Sequence, residues 1–424
     1  MRWYSTYRQS LIVISVIVLI VFLSTKCIDK QKSDTAVQTE TPAGKPKADW
    51  NQFVGSAACE SCHISIYESH RNTAHYHTSA ISTADNIHGS FDKGKNSIVF
   101  SDRVKVVMEK RGDGFYQAAY LNGEENQNRR IDIVIGSGTK GQSYLNWMQN
   151  RLFQLPITYF TAAHQWSNSP GYPGKVVFNR PITSRCLECH STYVQKISSA
   201  EMEPEEFDQT RILYGVDCEK CHGPAASHVE YQTKNPTDTL GKYIVNPGLL
   251  TRQQNLDLCA LCHGGRLSKT KPSFGFEAGD KLTDYFILDT ATRRAADIDV
   301  HGNQAGLLAA SKCFRMSQMT CSSCHNAHEN EKGKVAVISK RCMNCHNNEH
   351  GTLCKMNDVI GTVINKNCID CHMPKQSSRS IAVMLQGESV PAAVLMRTHL
   401  IKIYPDETEK VLNTMKWKVA IPAK

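Results

Sequence analysis

Fourteen of the 17 cysteines in this 424-residue chain form pairs separated by two residues, and a histidine directly follows every pair. In chain order, the seven CxxCH motifs are Cys59, Cys62 and His63; Cys186, Cys189 and His190; Cys218, Cys221 and His222; Cys259, Cys262 and His263; Cys321, Cys324 and His325; Cys342, Cys345 and His346; and Cys368, Cys371 and His372. A zinc ribbon does not need that histidine, and a redox dithiol needs one pair rather than seven. The pattern is typical of c-type haem attachment, with scattered zinc clips as the alternative.

The spacing within each motif suits a porphyrin. Two thiols three positions apart can form thioethers with the two vinyl groups of one porphyrin edge, and the next histidine then lies under the iron. We therefore predict seven covalently attached haems c. The 14 motif cysteines would bind the porphyrins, and the seven motif histidines would be the proximal iron ligands.

The other histidines are candidates for the second axial position of each iron. Seven of the 17 histidines belong to motifs, which leaves ten. Iron between two imidazoles changes oxidation state with little geometric change, whereas an iron with one open position can bind a substrate. Six residues are our candidate distal ligands: His75, His228, His301, His328, His350 and His399. The others are His77, the alternative to His75; His70, expected on a helix surface; His88, expected in solvent; and His164, either a ligand or a packed loop residue.

Two of these candidates lie close in sequence to a motif. His228 follows the turn at Gly223-Pro224, and His328 lies three residues after His325. Neither can easily reach the far side of the haem attached to its own motif, so we expect each to bind a neighbouring iron. Methionine is the rival ligand that raises the reduction potential, but we expect the 12 methionines mainly to pack.

The density of the motifs predicts the fold. One motif in roughly 45 residues is too many for separate domains, so the haems must supply much of the interior. We predict a multihaem cytochrome c fold, mainly short α-helices and loops around a haem core. Residues 91–160 lack motifs and alternate apolar with polar residues, and Asp113-Gly114 is a hairpin signal. We predict a small antiparallel β insert there, as a cover or docking surface.

The N-terminus predicts export to the periplasm or cell surface. Residues 11–23 are 13 apolar residues after a basic start, which is signal-peptide length and short for a membrane span. Cys27 is a candidate lipidation site, but Lys26 replaces the usual small residue, so an uncleaved anchor or simple cleavage are alternatives. The predicted organisation is a signal peptide or anchor at 1–26, a polar tether at 27–50, a heptahaem body at 51–380 and a tail with a distal ligand at 381–424.

The charge of the chain limits the class of partner that we expect. The formal net charge is +9, but each ferric haem with neutral axial ligands carries about −1, so seven haems lower it to about +2. No basic stripe with interleaved aromatic residues is present, so we expect no nucleic-acid partner.

Cys313 and Cys354 lie outside the motifs, and we expect them to form a disulfide in an oxidising compartment.

Several segments resemble the cytochrome c-554-type domain. They are "GSAACESCHISIYESHRNTAH", "DCEKCHGPAASHV" and "MTCSSCHNAH", while "CIDCHMPK" with the later "MRTHLI" resembles related multihaem chains. The resemblance covers residues 51 to 403 and is similar in plan to the hydroxylamine oxidoreductase and pentahaem nitrite reductase superfamily. It implies stacked haems in parallel and perpendicular pairs, with His75, His228, His328 and His399 as distal ligands. The lysine-ligated CxxCK of the nitrite reductases does not occur here.

Three functions fit these features. The first is an exported electron carrier that passes electrons along closely packed, mostly bis-histidine haems to other cytochromes or to a membrane quinol-linked complex. The alternative is a multihaem oxidoreductase acting on a small nitrogen or sulfur compound at one open iron. The third is a structural haem subunit whose β insert forms an interface. Ten spare histidines can close seven irons but need not do so.

Overall fold

The computed structural model of the chain describes residues 49–172, 175–197, 203–288 and 294–420. The predicted leader, most of the tether and Cys27 lie outside these residues. Across the described ranges, no helix is both long enough and apolar enough to cross a membrane.

Antiparallel β-structure fills most of the chain between the first and third motifs and returns near the C-terminus. The strands are β1 (Ser79–Ile81), β2 (Ser97–Ser101), β3 (Val104–Arg111), β4 (Gly114–Leu121), β5 (Glu124–Arg130), β6 (Ile133–Ile135), β7 (Gly141–Met148), β8 (Arg151–Gln154), β9 (Ile157–Phe160), β10 (Gln165–Asn168), β11 (Arg180–Pro181), β12 (Ser191–Ile197), β13 (Glu206–Tyr214), β14 (Leu267–Lys269), β15 (Phe286–Leu288), β16 (Lys375–Val383) and β17 (Ala392–Arg397).

Two larger sheets organise these strands. The first has the order β1-β6-β7-β8-β13-β12, with β9 joining β7 to β10 and β11 pairing with β8. The second is the meander β2-β3-β4-β5, and the pairs β14-β15 and β16-β17 are separate hairpins. The predicted hairpin forms between β3 and β4, where Arg111 pairs with Gly114 across a turn of Gly112 and Asp113. Gly112 has a φ of +60°, which favours glycine at this position.

The β-structure is more extensive than the small insert that we predicted for 91–160. β12 begins at Ser191, directly after the second motif, and β16 begins shortly after the seventh. The prediction was wrong because the outer strands are completed by distant partners. Ser79 of β1 pairs with Ile135 of β6, and Glu206 of β13 pairs with Arg151 of β8. Such pairings depend on tertiary context more than on local sequence.

Eight of the eleven described α-helices have nine residues or fewer, as predicted, and six of the eleven carry all or part of a motif. They are α1 (Ala57–His70), α2 (Ser184–Glu188), α3 (Cys218–His222), α4 (Ala226–Lys234), α5 (Arg252–His263), α6 (Gln304–Ala309), α7 (Lys312–Arg315), α8 (Val335–Met343), α9 (Asn357–Ile360), α10 (Ile369–His372) and α11 (Pro405–Ala420).

The C-terminal segment is tied to the rest of the chain. Val383 and Val394 of the β16-β17 hairpin form an apolar cluster with Phe160 of β9. The Lys140 ammonium donates a hydrogen bond to the Leu395 carbonyl at 2.7 Å. α11 then packs against α10, the helix of the seventh motif. The chain therefore returns to the motifs after its last cysteine pair.

Candidate functional site

Every CxxCH motif lies in, or at the end of, a helical turn. α1, α3 and α5 contain the first, third and fourth motifs. Residues three apart are neighbours on a helix surface, so the two cysteines of a motif lie on one side of the turn. In the last three motifs, the histidine amide donates to the carbonyl of the first cysteine, at 3.0 Å for His325, 3.0 Å for His346 and 3.1 Å for His372. Local sequence is therefore enough to set two thiols and an imidazole around one turn.

The thiols are not arranged as zinc sites. Among the described residues, no group of three or more His, Cys, Asp or Glu side chains converges to bind a metal ion. A structural zinc site needs four such ligands. Each motif instead offers two thiols and one imidazole, which suits a porphyrin that already supplies four nitrogens to its iron. The donor set therefore fits covalent haem rather than zinc.

The expected disulfide between Cys313 and Cys354 is not formed, because both residues are free thiols. Each lies near a different group of cysteines. Cys313 interacts electrostatically with Cys324 and Cys342, whereas Cys354 interacts with Cys371. We predicted the disulfide because neither cysteine belongs to a motif. The sequence alone did not show that tertiary contacts place each of them beside a different motif.

Cysteines of different motifs contact one another. Hydrogen bonds join the thiols of Cys59 and Cys218, Cys189 and Cys262, Cys259 and Cys321, and Cys342 and Cys368. Electrostatic interactions also link Cys221 with Cys259 and Cys324 with Cys345. Together, the four hydrogen bonds and the two electrostatic interactions order the motifs as first, third, fourth, fifth, sixth and seventh, with the second beside the fourth. We call this order the thiol chain.

Three motif histidines each face a second histidine. The ring centres of His222 and His328 are 6.0 Å apart with an interplanar angle of 18°. The other two pairs are His325 with His399, at 6.1 Å and 31°, and His75 with His263, at 6.3 Å and 64°. A metal between two imidazoles lies about 2 Å from each nitrogen and about 3 Å from each ring centre, so the centres are about 6 Å apart. All three pairs have the spacing that two axial ligands of one iron require.

Desolvation by the surrounding chain favours the neutral form of these imidazoles, although His75, His263 and His325 are exposed to solvent. It lowers the pKa of His75 to about 4, and repulsion from His263 adds to the effect. Burial also lowers the pKa of His399 to about 4, with a further contribution from His325. The pKa is lowered for the same first reason in the other paired rings, His222, His263, His325 and His328. A neutral imidazole has a free lone pair, and this is the form that binds iron.

Backbone carbonyls fix the orientation of several rings through Nδ1. The contacts are His228 to Lys242 at 2.8 Å, His222 to Val245 at 2.9 Å, His372 to Lys402 at 3.0 Å and His346 to Thr352 at 3.3 Å. A ring that donates through Nδ1 leaves Nε2 as the metal-binding atom. The chain itself therefore orients these four rings so that Nε2 is the nitrogen available to a metal.

Two further candidates lie near motif histidines. Repulsion from His301 contributes, after burial, to the lowered pKa of His190. His63 and His228 both contribute, again after burial, to the lowered pKa of His222. His301 therefore interacts with His190 of the second motif and also with His263 of the fourth, and His228 interacts with His222 of the third motif.

His70 is buried, so the prediction that it lies on a helix surface was wrong. Its Nδ1 contacts the Ala327 carbonyl at 3.3 Å and its Nε2 contacts the Val216 carbonyl at 3.1 Å. Asp217 lies 3.7 Å from the same ring. A neutral imidazole can donate to only one of these carbonyls, and the His70 ring also lies 6.2 Å from the His328 ring, at an interplanar angle of 72°. Together with a hydrogen bond from the Ser69 hydroxyl to the His328 carbonyl at 2.7 Å, His70 holds the loop that presents His328. Sequence reasoning missed this role because the loop lies far from α1 along the chain.

The four remaining histidines face no motif histidine within the described residues. His77, His88, His164 and His350 are exposed. His77 packs edge-on against Tyr76, and His88 packs edge-on against Tyr159. The candidate distal ligand His350 lies on the loop after His346, and its amide donates to Asn347 at 3.1 Å. No described histidine ring faces it across an iron-sized gap.

Acidic residues inside three motifs connect the motif turns to other elements. Glu219 is buried and accepts hydrogen bonds from the amides of Gly55 and Ala225 at 2.8 Å and of Val54 at 3.1 Å. Glu188, also buried, accepts from the Phe274 amide at 2.6 Å, and Asp370 accepts from Arg397 at 2.7 Å. Because Glu219 lies in the third motif and Val54 and Gly55 precede the first, this carboxylate holds the two motifs together.

Comparisons with known proteins agree with this site. The family model described as "Cytochrome c554 and c-prime" matches residues 162–223, which contain the second and third motifs. No curated protein matches the chain. The chain is similar in fold to the crystal structure of the outer cell wall cytochrome OcwA, with a TM-score of 0.51 and 17% identity over 85% of this chain and 81% of that chain. The family match, the shared fold and the paired thiols with their imidazoles support a multihaem c-type cytochrome that binds haem c covalently.

Proposed function

We propose that this protein is an exported heptahaem c-type cytochrome that transfers electrons along its haems to a redox partner. The observation that carries the proposal is the set of three histidine pairs, each joining a motif histidine to a non-motif histidine at 6.0–6.3 Å. Two imidazoles on one iron favour outer-sphere electron transfer over substrate binding.

The pairs assign three distal ligands. His328 would complete the iron of the third motif, His75 that of the fourth and His399 that of the fifth. His301 is near His190 and would complete the second iron. His228 would serve the first motif, because His328 already faces His222.

The thiol chain supports a route for electrons. Each haem would supply one-electron redox chemistry when bound, and the chain's own residues anchor it, orient its ligands and exclude water. Since each thiol would bond to a porphyrin edge, contacts between thiols bring those edges close together. The route would pass from the first motif through the third, fourth and fifth to the sixth and seventh. The second haem would join at the fourth as a branch.

Location and partners are part of the same proposal. The basic, apolar N-terminus supports export with a tether to the membrane, and the structural relative is an outer cell wall cytochrome. We place the protein in the periplasm or at the cell surface. Its partners would be other cytochromes or a membrane quinol-linked complex, which would exchange electrons with haems at the two ends of the route.

The test begins with the number of haems. Protein exported from a host with a haem-attachment system should contain seven haems by the pyridine haemochrome assay, and dithionite should reduce all seven. A Cys221→Ala/Cys218→Ala variant should contain six haems, whereas Cys313→Ala, which changes a cysteine outside the motifs, should retain seven. Colourless protein, or zinc in place of iron, would rule out the proposal.

A further inference from the structure

The sixth and seventh motifs prepare only one side of an iron. His346 and His372 are oriented through Nδ1 by the carbonyls of Thr352, at 3.3 Å, and Lys402, at 3.0 Å. His222 of the third motif is oriented in the same way by Val245, at 2.9 Å. The proximal arrangement is thus common to all three residues. The difference lies on the opposite side, where His222 faces His328 and the other two face no histidine within the described residues.

The spare histidines account for this difference. All 17 histidines belong to the part of the chain that the structure describes. Three of them face the motif histidines His263, His222 and His325, and the proposed function assigns His228 and His301 to the first and second motifs. The His70 ring lies beside the His328 ring, with 6.2 Å between the ring centres, and His77 and His88 pack edge-on against tyrosines. No histidine is left to face the last two irons except His164 and His350.

Neither of these two residues is placed as a distal ligand. His164 follows β9, is exposed and adopts a left-handed backbone conformation with a φ of +52°. It lines a surface cavity with Tyr159 and Trp166. His350 is exposed in the loop between His346 and Thr352, and no described histidine ring faces it.

We propose that the irons held by His346 and His372 each keep one axial position for an exogenous ligand. This inference rests on the proposed function, because it requires the seven haems. The ligand class is a small neutral molecule that binds ferrous iron through one atom, such as carbon monoxide or nitric oxide. The two sites are adjacent, since the thiols of Cys342 and Cys368 contact each other, and they form the end of the thiol chain.

Carbon monoxide provides a direct count of such sites. The purified protein, shown first to contain seven haems, is reduced with dithionite and titrated with carbon monoxide while the Soret band is recorded. We expect two carbon monoxide molecules per chain. Fewer than two, with seven haems present and reducible, would overturn this inference and leave the electron carrier intact. A failure to find the haems would instead reject the proposed function.

Variants locate the sites. Cys342→Ala/Cys345→Ala, which removes the sixth haem anchor, should bind one carbon monoxide, whereas Cys186→Ala/Cys189→Ala, which removes the second anchor, should still bind two. His399→Ala should bind three, because it opens the iron opposite His325. His350→Ala should bind two, and an increase on removing His350 would overturn the inference by showing that this residue closes an iron. Each variant is compared per haem, so incomplete haem attachment is measured rather than assumed.

Discussion

Two parts of the chain build their interiors differently. In the β-rich part, residues 79–214, the fully buried side chains include Met108, Tyr144, Leu155 and Trp166. In residues 321–363, which carry the fifth and sixth motifs, Ser339 is the only buried residue. The first part has an apolar core of its own side chains, whereas the second has no comparable core. The difference predicts that residues 321–363 would depend on the proposed haems for their interior, whereas the β-rich part would not.

The largest expected effect comes from withholding haem. In protein made without haem attachment, the amides of β4 and β7 should remain protected from hydrogen exchange, because their core is made of side chains. Amides of residues 335–346 should exchange at nearly unprotected rates. Hydrogen exchange with mass spectrometry on the haem-free and haem-loaded chains measures both regions. Equal protection of the two regions without haem would contradict the comparison.

A substitution in the β core should have the next largest effect. Met108 is 0% exposed, so Met108→Ala should lower the free energy of unfolding of the β-rich part by about 2–5 kcal/mol. The haem count should stay at seven. Val99 on the neighbouring strand is 51% exposed, and Val99→Ala serves as the control with little effect. Chemical denaturation followed by tryptophan fluorescence and by the Soret band separates the two parts.

His70 tests how α1 holds the loop that carries His328. His70→Ala removes the ring contacts to the carbonyls of Val216 and Ala327, which should cost about 1–3 kcal/mol because both groups are partly buried. The diagnostic result is spectroscopic: the loop would release His328, and the third iron should show a high-spin electron paramagnetic resonance signal. His77→Ala is the matched control, since His77 is exposed on the same stretch of chain. A low-spin spectrum in His70→Ala would show that packing alone holds His328.

Glu219 should give the smallest effect. Glu219→Gln keeps one acceptor oxygen but loses the charge that binds three backbone amides, so unfolding should become easier by about 1 kcal/mol. Glu230→Gln is the control, because Glu230 forms only an exposed ion pair with Lys234. Thermal melting of the two variants, monitored at the Soret band, measures the difference. Identical melting temperatures would mean that Glu219 does not help to hold the first and third motifs together.

The sequence by itself determined the chemistry of this protein. The seven CxxCH motifs are local, and a helical turn is enough to place two thiols and an imidazole, so the cofactor and its attachment follow from spacing alone. The hairpin between β3 and β4 was likewise predictable from the sequence, because its alternating apolar and polar residues and its turn residues are adjacent in the chain. His328, which the sequence predicts to bind an iron other than that of its own motif, faces His222 with 6.0 Å between the ring centres.

The tertiary structure decided everything that joins distant residues. The pairs His75 with His263 and His325 with His399, the buried position of His70 and the order of the thiol chain all depend on how separate segments pack. The extended sheet depends on the same cause, since β1 and β13 pair with strands far away in sequence. Histidine has no local preference that reveals which ring it will face, because axial pairing is set by the packing of whole elements rather than by neighbouring residues.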